Sequence, residues 1–381
     1  MAGYVARKGA SRGSLSPLYV RALALGQGTR TIAILVADIL LFSSRWANRL
    51  RKRVSRALDT SPECIVVAAT HTHSGPLVET SPFEIYGGSA DSRLPEFTRR
   101  VEQACCAAAV EAKQRMGPVT LAEGLAHVRG IASDRNRPRQ GREQSFLLLR
   151  FDRRRSSAVL GIYGCHPTAL GASNRYFSGD LHGEIARRLE RRVDCALIAN
   201  GAAANISTRF TRKSQSRTEL FRLASRVIEQ VSRKPLRMQP RPKLALRSCL
   251  LHLPLKNLKA EVPQSGRKSG RLSVVAKEAL RVREGLREAR EFSGNHLSVT
   301  ITVLRVGPVV LAALPFEIYS TTGGYLWKRS RIMPLCYANG YWGYVAGPTA
   351  ARRDYEVISS PFPARADRFL RHALLNLAKL T

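Results

Sequence analysis

Residues 65–76 read IVVAATHTHSGP, and the reading of this stretch decides the rest of the chain. Ile65, Val66 and Val67 form a β-branched apolar run that predicts a buried strand, passing into Thr70-His71-Thr72-His73 and breaking at Ser74-Gly75-Pro76. Side chains alternate along a strand, so His71 and His73 are expected on one face, leaving its carboxyl end side by side. Open α/β sheets bind their ligands at that edge. Two neutral imidazoles held on a rigid strand suit Zn²⁺, whereas a helix needs a spacing of four to do the same. The alternative is a pair of polar histidines bonded to nearby backbone, a common structural use of the residue.

Composition sets the frame. At 381 residues, with 44% hydrophobic and 24% charged, the chain is that of a globular protein with a large core. No linker is visible, so one domain over residues 1–381 is expected. The longest apolar run, residues 31–42, contains Asp38 and is too short to span a bilayer. Residues 1–16 lack the apolar core of an export signal, which places the protein in the cytoplasm as the sequence stands. The seven cysteines are scattered, odd in number and without metal-type spacing, and read as reduced thiols. Lys and Arg number 62 against 28 Asp and Glu, a net charge of +34. Such a field suits an anionic membrane surface or any polyanion. Arginine is nevertheless spread over nearly every segment, aromatics are 7% and no finger or RNA-binding signature is present, so no specific nucleic-acid partner is expected.

Upstream of the central stretch, residues 18–25 and 31–39 predict two strands across Gln27-Gly28, and residues 43–58 a helix with a basic outer face. The chain therefore opens β-β-α-β. Asp38 near the second strand's end suits either a partner for a histidine ligand or a structural contact. Downstream, helices are expected at 95–116, 218–232, 279–292 and 363–380, and a basic hinge at 266–270. Strands are expected at 119–128, 145–150, 157–165, 195–199, 246–255, 297–306 and 309–314. Several end on chemistry-bearing residues: His166 in CHPT, Ser207 in a turn of small residues, and Glu317 after Pro315-Phe316. Arg135 lies in the polar loop 132–143, and residues 337–344 cluster aromatics with glycines. For Ser207 a plain strand-to-helix turn is the alternative, and for Arg135 a solvated basic loop.

Taken together these motifs resemble the neutral, or non-lysosomal, ceramidase family, and more closely its shorter bacterial relatives. The carriers are THTHSGP at Thr70, CHPT at Cys165 with SGD at Ser178, the turn 201–208, LPFE at Leu314 and ANGYWGY at Ala338, all in the family's order. The resemblance implies a zinc amidase acting on a small-molecule or lipid amide, with sphingolipid metabolism as its setting. It places zinc ligands on His71, His166, Glu317 and Tyr344, and active-site roles on His73, Arg135 and Tyr355. The family's GDVSPN serine falls on Ser207, with Asn205 where the family has Asp and Thr208 where it has Pro. The family's first strand before Gly3-Tyr4 and its C-terminal β-sandwich have no counterpart here. A start codon further upstream would supply that strand and an export signal, placing the protein in the periplasm or outside the cell.

The expected architecture is an α/β fold with a mixed β-sheet core flanked by helices and the active site at strand carboxyl ends. The expected reaction is hydrolysis of an N-acyl amide, in which Zn²⁺ polarises the carbonyl, Ser207 attacks, His73 moves the proton and Arg135 or Tyr355 stabilises the oxyanion. Two alternatives stand beside it. One is a hydrolase in which zinc hydroxide attacks and Ser207 is structural; the other is a non-catalytic ceramidase-like scaffold that binds its ligand without turnover.

Overall fold

The computed structural model describes residues 1–79, 92–256, 277–283 and 295–381. Alternation of buried apolar side chains produces the architecture. In β1 (Val20–Gln27) and β2 (Arg30–Ala37), which pair antiparallel, and β3 (Ile65–Ala69), which runs parallel to β2, both faces are apolar. Ile32, Ile34 and Val36 pack into one core, whereas Ala33, Leu35 and Ala37 pack into another. A strand buried on both faces must lie between two layers.

Those layers are a second sheet and a set of helices. The second sheet contains β4 (Thr120–Arg129), β5 (Glu143–Asp152), β6 (Ser157–Tyr163), β7 (Cys195–Asn200) and β8 (Arg237–Gln239), in the order β7-β6-β5-β4-β8 with only β6 and β7 parallel. A third comprises β9 (Leu244–Pro254), β10 (His296–Val306), β11 (Val309–Ala313) and β12 (Ile332–Leu335), antiparallel except for the last pair. Leu160, Ile162, Leu197 and Ala199 meet Leu304, Leu311, Leu335 and Val66 in the core between the sheets. Outside one face lie α1 (Ser44–Ala57), α2 (Leu94–Gln114) and the C-terminal α7 (Ala366–Lys379). Outside the other lie α3 (Asp180–Leu189) and α4 (Arg217–Ser232). The mixed-sheet core flanked by helices is therefore present, and its sheets are stacked in two layers. Two further helices, α5 (Ser320–Ser330) and α6 (Tyr355–Ser359), follow strand ends near the site.

Local chemistry explains the boundaries. Ser43 Oγ caps α1 by accepting from the Trp46 amide at 3.1 Å, while Trp46, Leu50 and Val54 are buried beneath the basic outer face. After a two-residue strand, Gly13–Ser14, which pairs in parallel with Tyr176–Phe177 and was not expected, the chain runs β-β-α-β as the pattern predicts. At the start of α3 Gly179 is the capping residue, Ser178 Oγ accepts from the Asp180 amide, and Asp180 sits at φ +48°. The Asp180 carboxylate instead accepts from Ala169, Leu170 and Leu181 amides at 2.7–3.0 Å, tying the loop after His166 to the helix. Residues 277–283 are helical, the remainder of the expected 279–292 helix lies outside the described residues, and so does the expected hinge at 266–270. Among the described residues no helix is long and apolar enough to cross a membrane.

Backbone hydrogen bonds join the sheets at the strand ends that carry the histidines. Beyond β12 the Cys336 amide donates to Asn200 O at 2.9 Å, the Ala338 amide to Leu314 O at 3.0 Å, and Ala69 donates to Tyr337 O at 3.1 Å. Asn339 completes the stitch, its amide donating to Val67 O at 2.8 Å and its Oδ1 accepting from the Val67 amide at 3.0 Å. Asn339 has φ +61°, a conformation that Asn tolerates better than most residues. Asn339→Ala loses a buried hydrogen bond and strains the backbone, and is expected to lower stability by about 2–4 kcal/mol in urea unfolding. Asn339→Gly, which relieves the backbone, loses less than Ala; equal losses would show that the left-handed conformation contributes nothing.

Candidate functional site

The stitched strand ends carry the expected chemistry-bearing residues. β3 stops at Ala69, and His71 has φ +63°, so the predicted strand alternation does not reach the histidines. A turn brings them together instead: Thr72 Oγ1 donates to Ser178 O at 2.7 Å and accepts from the Ser74 amide at 3.1 Å. His73 Nε2 then lies 3.1 Å from His71 Nε2. The N-terminal residues fence His73 in. Gly3 comes so close that a Cβ there would lie 2.7 Å from His73 Cα, Arg7 Nη2 donates to His73 O at 2.7 Å, and the Tyr4 ring stands edge-on to the imidazole.

His166 follows β6. Its amide donates to Ile206 O at 3.0 Å, and its Nδ1 lies 2.7 Å from Ala203 O, just as His71 Nδ1 lies 2.9 Å from Leu40 O. A carbonyl only accepts, so both rings carry their proton on Nδ1 and turn an unprotonated Nε2 inward. Glu317 sits in a short parallel ladder with Tyr344, residues Glu317–Ile318 against Tyr344–Val345. Its Oε2 is 3.1 Å from His166 Nε2, its Oε1 is 3.9 Å from His71 Nε2, and Tyr341 donates its hydroxyl to Oε1 at 2.6 Å.

Burial makes this arrangement unusual. It pushes the pKa of His71 and His73 well below the ordinary imidazole range and that of His166 down to about 3, so the rings are neutral at neutral pH. His166 Nε2 and Glu317 Oε2 therefore face each other as two acceptors, and among the described residues the buried Oε2 has no donor. Lone pairs so converged are satisfied by a cation between them. His71, His73 and His166 place their ligand atoms within 4.8 Å of one another and could hold a metal ion.

A second cluster lies alongside. Arg135 pairs with the fully buried Glu356, and its Nη2 donates to the Tyr344 hydroxyl at 3.2 Å. The guanidinium lies 5.6 Å from the centroid of Tyr344 and 5.8 Å from that of Tyr355. Glu356 also accepts from Asn136 Nδ2 at 2.8 Å and from the Tyr319 hydroxyl at 3.2 Å. Ser207 joins the histidine cluster through its backbone, bridged in parallel to His166 and antiparallel to Ser133. Its Oγ accepts from the Arg209 amide at 3.3 Å. Asn205, two residues earlier, donates its Nδ2 to Asp134 Oδ2 at 2.7 Å and accepts from the Ser320 amide at 2.9 Å. An aspartate there would oppose Asp134 carboxylate to carboxylate, so the amide fits its neighbour.

The structure thus gathers His71, His73, His166 and Glu317 in direct reach, Arg135, Tyr344 and Tyr355 in an adjoining cluster, and Ser207 beside His166. Asp38 is elsewhere: it accepts from the Tyr19 amide at 3.1 Å, pairs with Arg21 at 3.4 Å and lies under Gly179 at the start of α3. Sequence reasoning assigned no particular role to Tyr341, Glu356 or Asp134. Each lies within three residues of a residue it did single out, and only spatial contact distinguishes it from its neighbour.

Residues 1–211 match the family model described as neutral/alkaline non-lysosomal ceramidase, N-terminal. A search of curated proteins finds no match. Among solved structures, the neutral ceramidase from Pseudomonas aeruginosa superposes with a TM-score of 0.74 at 15% identity, covering 99% of this chain and 71% of its own. A ceramidase complexed with C2 superposes with a TM-score of 0.76 at 16% identity, covering 99% and 72% respectively. At these identities the likeness establishes the fold.

The pairing of Arg135 with Glu356 yields a test of the site's construction. Glu356→Ala leaves the guanidinium without its buried counter-charge and removes an acceptor from Asn136 and Tyr319, and is expected to cost about 3–5 kcal/mol in chemical denaturation. A loss under about 1 kcal/mol, the range of an exposed pair, would show that the ion pair does not hold the cluster.

Proposed function

The chain belongs to the neutral/alkaline non-lysosomal ceramidase family, and from that membership we propose that it is a zinc-dependent hydrolase of an N-acyl amide bond, with a ceramide-like lipid as substrate. The observation that carries the metal is the acceptor-to-acceptor contact of His166 Nε2 and Glu317 Oε2, buried at 3.1 Å, beside the inward-facing His71 Nε2. Nitrogen and carboxylate donors of this kind are a zinc set. His71, His166 and Glu317 would hold the ion, with Tyr344 from the paired strand as the further ligand. When bound, zinc supplies Lewis-acid polarisation of the scissile carbonyl and acidifies a hydroxyl placed against it.

The remaining steps belong to side chains. Ser207, on the strand bridged to His166, attacks the carbonyl carbon, and His73, neutral and adjacent to His71, accepts the hydroxyl proton and passes it to the leaving amine. Water then hydrolyses the acyl ester by the same route in reverse. Arg135, fixed by Glu356 and facing Tyr344 and Tyr355, supplies positive charge for the developing oxyanion. The Asn205 bridge from Asp134 to Ser320 supports the turn without the family's aspartate.

A second reading has an observation in its favour. Ser207 Oγ accepts from the Arg209 amide, a turn-stabilising bond, which suits a structural serine with water as the nucleophile. The two are separable. With Ser207 as nucleophile, Ser207→Ala binds zinc normally and loses roughly four orders of magnitude in kcat; turnover near that of the parent protein with zinc intact establishes the water mechanism.

For the metal, elemental analysis is expected to find about one Zn²⁺ per chain, lost in both His71→Ala and Glu317→Ala. Tyr341→Phe removes only the hydroxyl that holds Glu317, so zinc affinity is expected to fall by roughly 10- to 100-fold. Full metal retention in the two alanine variants would overturn the ligand assignment.

A further inference from the structure

At the opposite end of the strands lies a cavity of about 250 Å³ that the hydrolase reading does not use. It opens between β1, the end of α2, the starts of β6 and β7, and the turn into β9. His166 and the Ser207 turn follow the other ends of β6 and β7, so roughly 20 Å of strand separates the two places. Its walls are apolar: Leu23, Leu25, Leu121, Phe151 and Val306, with the adaptable Met116 at one side. An apolar cavity of roughly 150 Å³ already takes benzene. Protein interiors are close-packed, so an opening of this size between the stacked sheets, widened by the small side chains of Ala22, Ala24 and Ala158, is a departure from ordinary packing.

The rim carries the chemical signature. Arg115, Arg153 and Lys243 stand at the edge with a single acid, Asp194. The Asp194 carboxylate is engaged, accepting from the Ser157 amide at 2.7 Å. Arg115 pairs with Glu111 at 2.7 Å, but both side chains are more than half exposed, where such a pair is weak. An apolar interior under a cationic rim fits one ligand class. We propose that this cavity is a second binding site, for a single-chain anionic amphiphile of the fatty-carboxylate type, with its alkyl chain between the sheets and its carboxylate at Arg153 and Lys243.

The test is displacement of a fluorescent fatty-acid analogue from the full chain by dodecanoate, in detergent-free buffer. One saturable site per chain is expected, with dodecylammonium at least tenfold weaker and affinity rising about fourfold per methylene from octanoate to dodecanoate. Ala24→Phe and Ala158→Phe fill the cavity from two walls and should each weaken dodecanoate binding at least tenfold; if one fails to fold, the other carries the comparison. Arg153→Ser combined with Lys243→Ser should bring dodecanoate down to the affinity of dodecanol. His71→Ala, a change at the far end of the strands from the cavity, should bind dodecanoate as the parent protein does. Loss of binding in His71→Ala with full binding in the wall variants would place the amphiphile in the catalytic cleft and overturn the proposal. Equal affinity for dodecylammonium, or no saturable binding, would overturn it as well. Because none of these readouts is turnover, they stand whether or not the hydrolase reading holds.

Discussion

The hydrogen bonds from residues 336–339 to the ends of β3, β7 and β11 are the constraint on which the rest of the structure depends. Stacked sheets can slide or splay relative to one another, since side-chain packing alone is weakly directional. Backbone bonds crossing from one sheet to another remove that freedom at one edge. The same edge carries His71, His166, the Ser207 turn and the short Glu317–Tyr344 ladder. The stitch thus lies where the candidate chemistry needs angstrom-level placement.

That rigidity is set against an electrostatic cost. Two imidazoles and a carboxylate converge in a buried space with their protons turned outward to Leu40 and Ala203 carbonyls. Without a positive charge among them, such a cluster opposes folding. The arrangement could hold a cation, with burial keeping the nitrogens neutral and thus able to ligate. Tyr341 and Glu356 extend the logic outward, one fixing Glu317 and the other fixing Arg135.

The turn around Ser207 illustrates how a family pattern can change by exchange of partners. An amide at position 205 donates to Asp134 and accepts from Ser320, two bonds of opposite sense that a carboxylate cannot make together. Thr208 keeps its segment in place by donating to Thr168 O at 3.3 Å. The basic surface is a separate matter. Part of it lies on the outer face of α1, whereas Arg135, inside the site, is paired with Glu356.

The elements and the residues of the site were legible in the chain because both are local properties. Continuous apolar runs marked β2, β3, β6, β7 and β11, and the residues at the ends of several of them marked His71, His166, Ser207 and Glu317. The ordered motifs also carried the family. What sequence could not supply was the relation between distant segments. Strand alternation predicted that His71 and His73 share a face, yet a left-handed residue and the Thr72 contact to Ser178 are what bring them together. Asp38 looked as able to serve a histidine as any acid at a strand end, and packing gave it to Arg21 and α3. Tyr341 and Glu356 carried no pattern of their own, and the stacking of the sheets in two layers followed from which face of each strand met which. Side-chain type and spacing are written along the chain, whereas proximity between residues a hundred or more positions apart exists only once the core has closed.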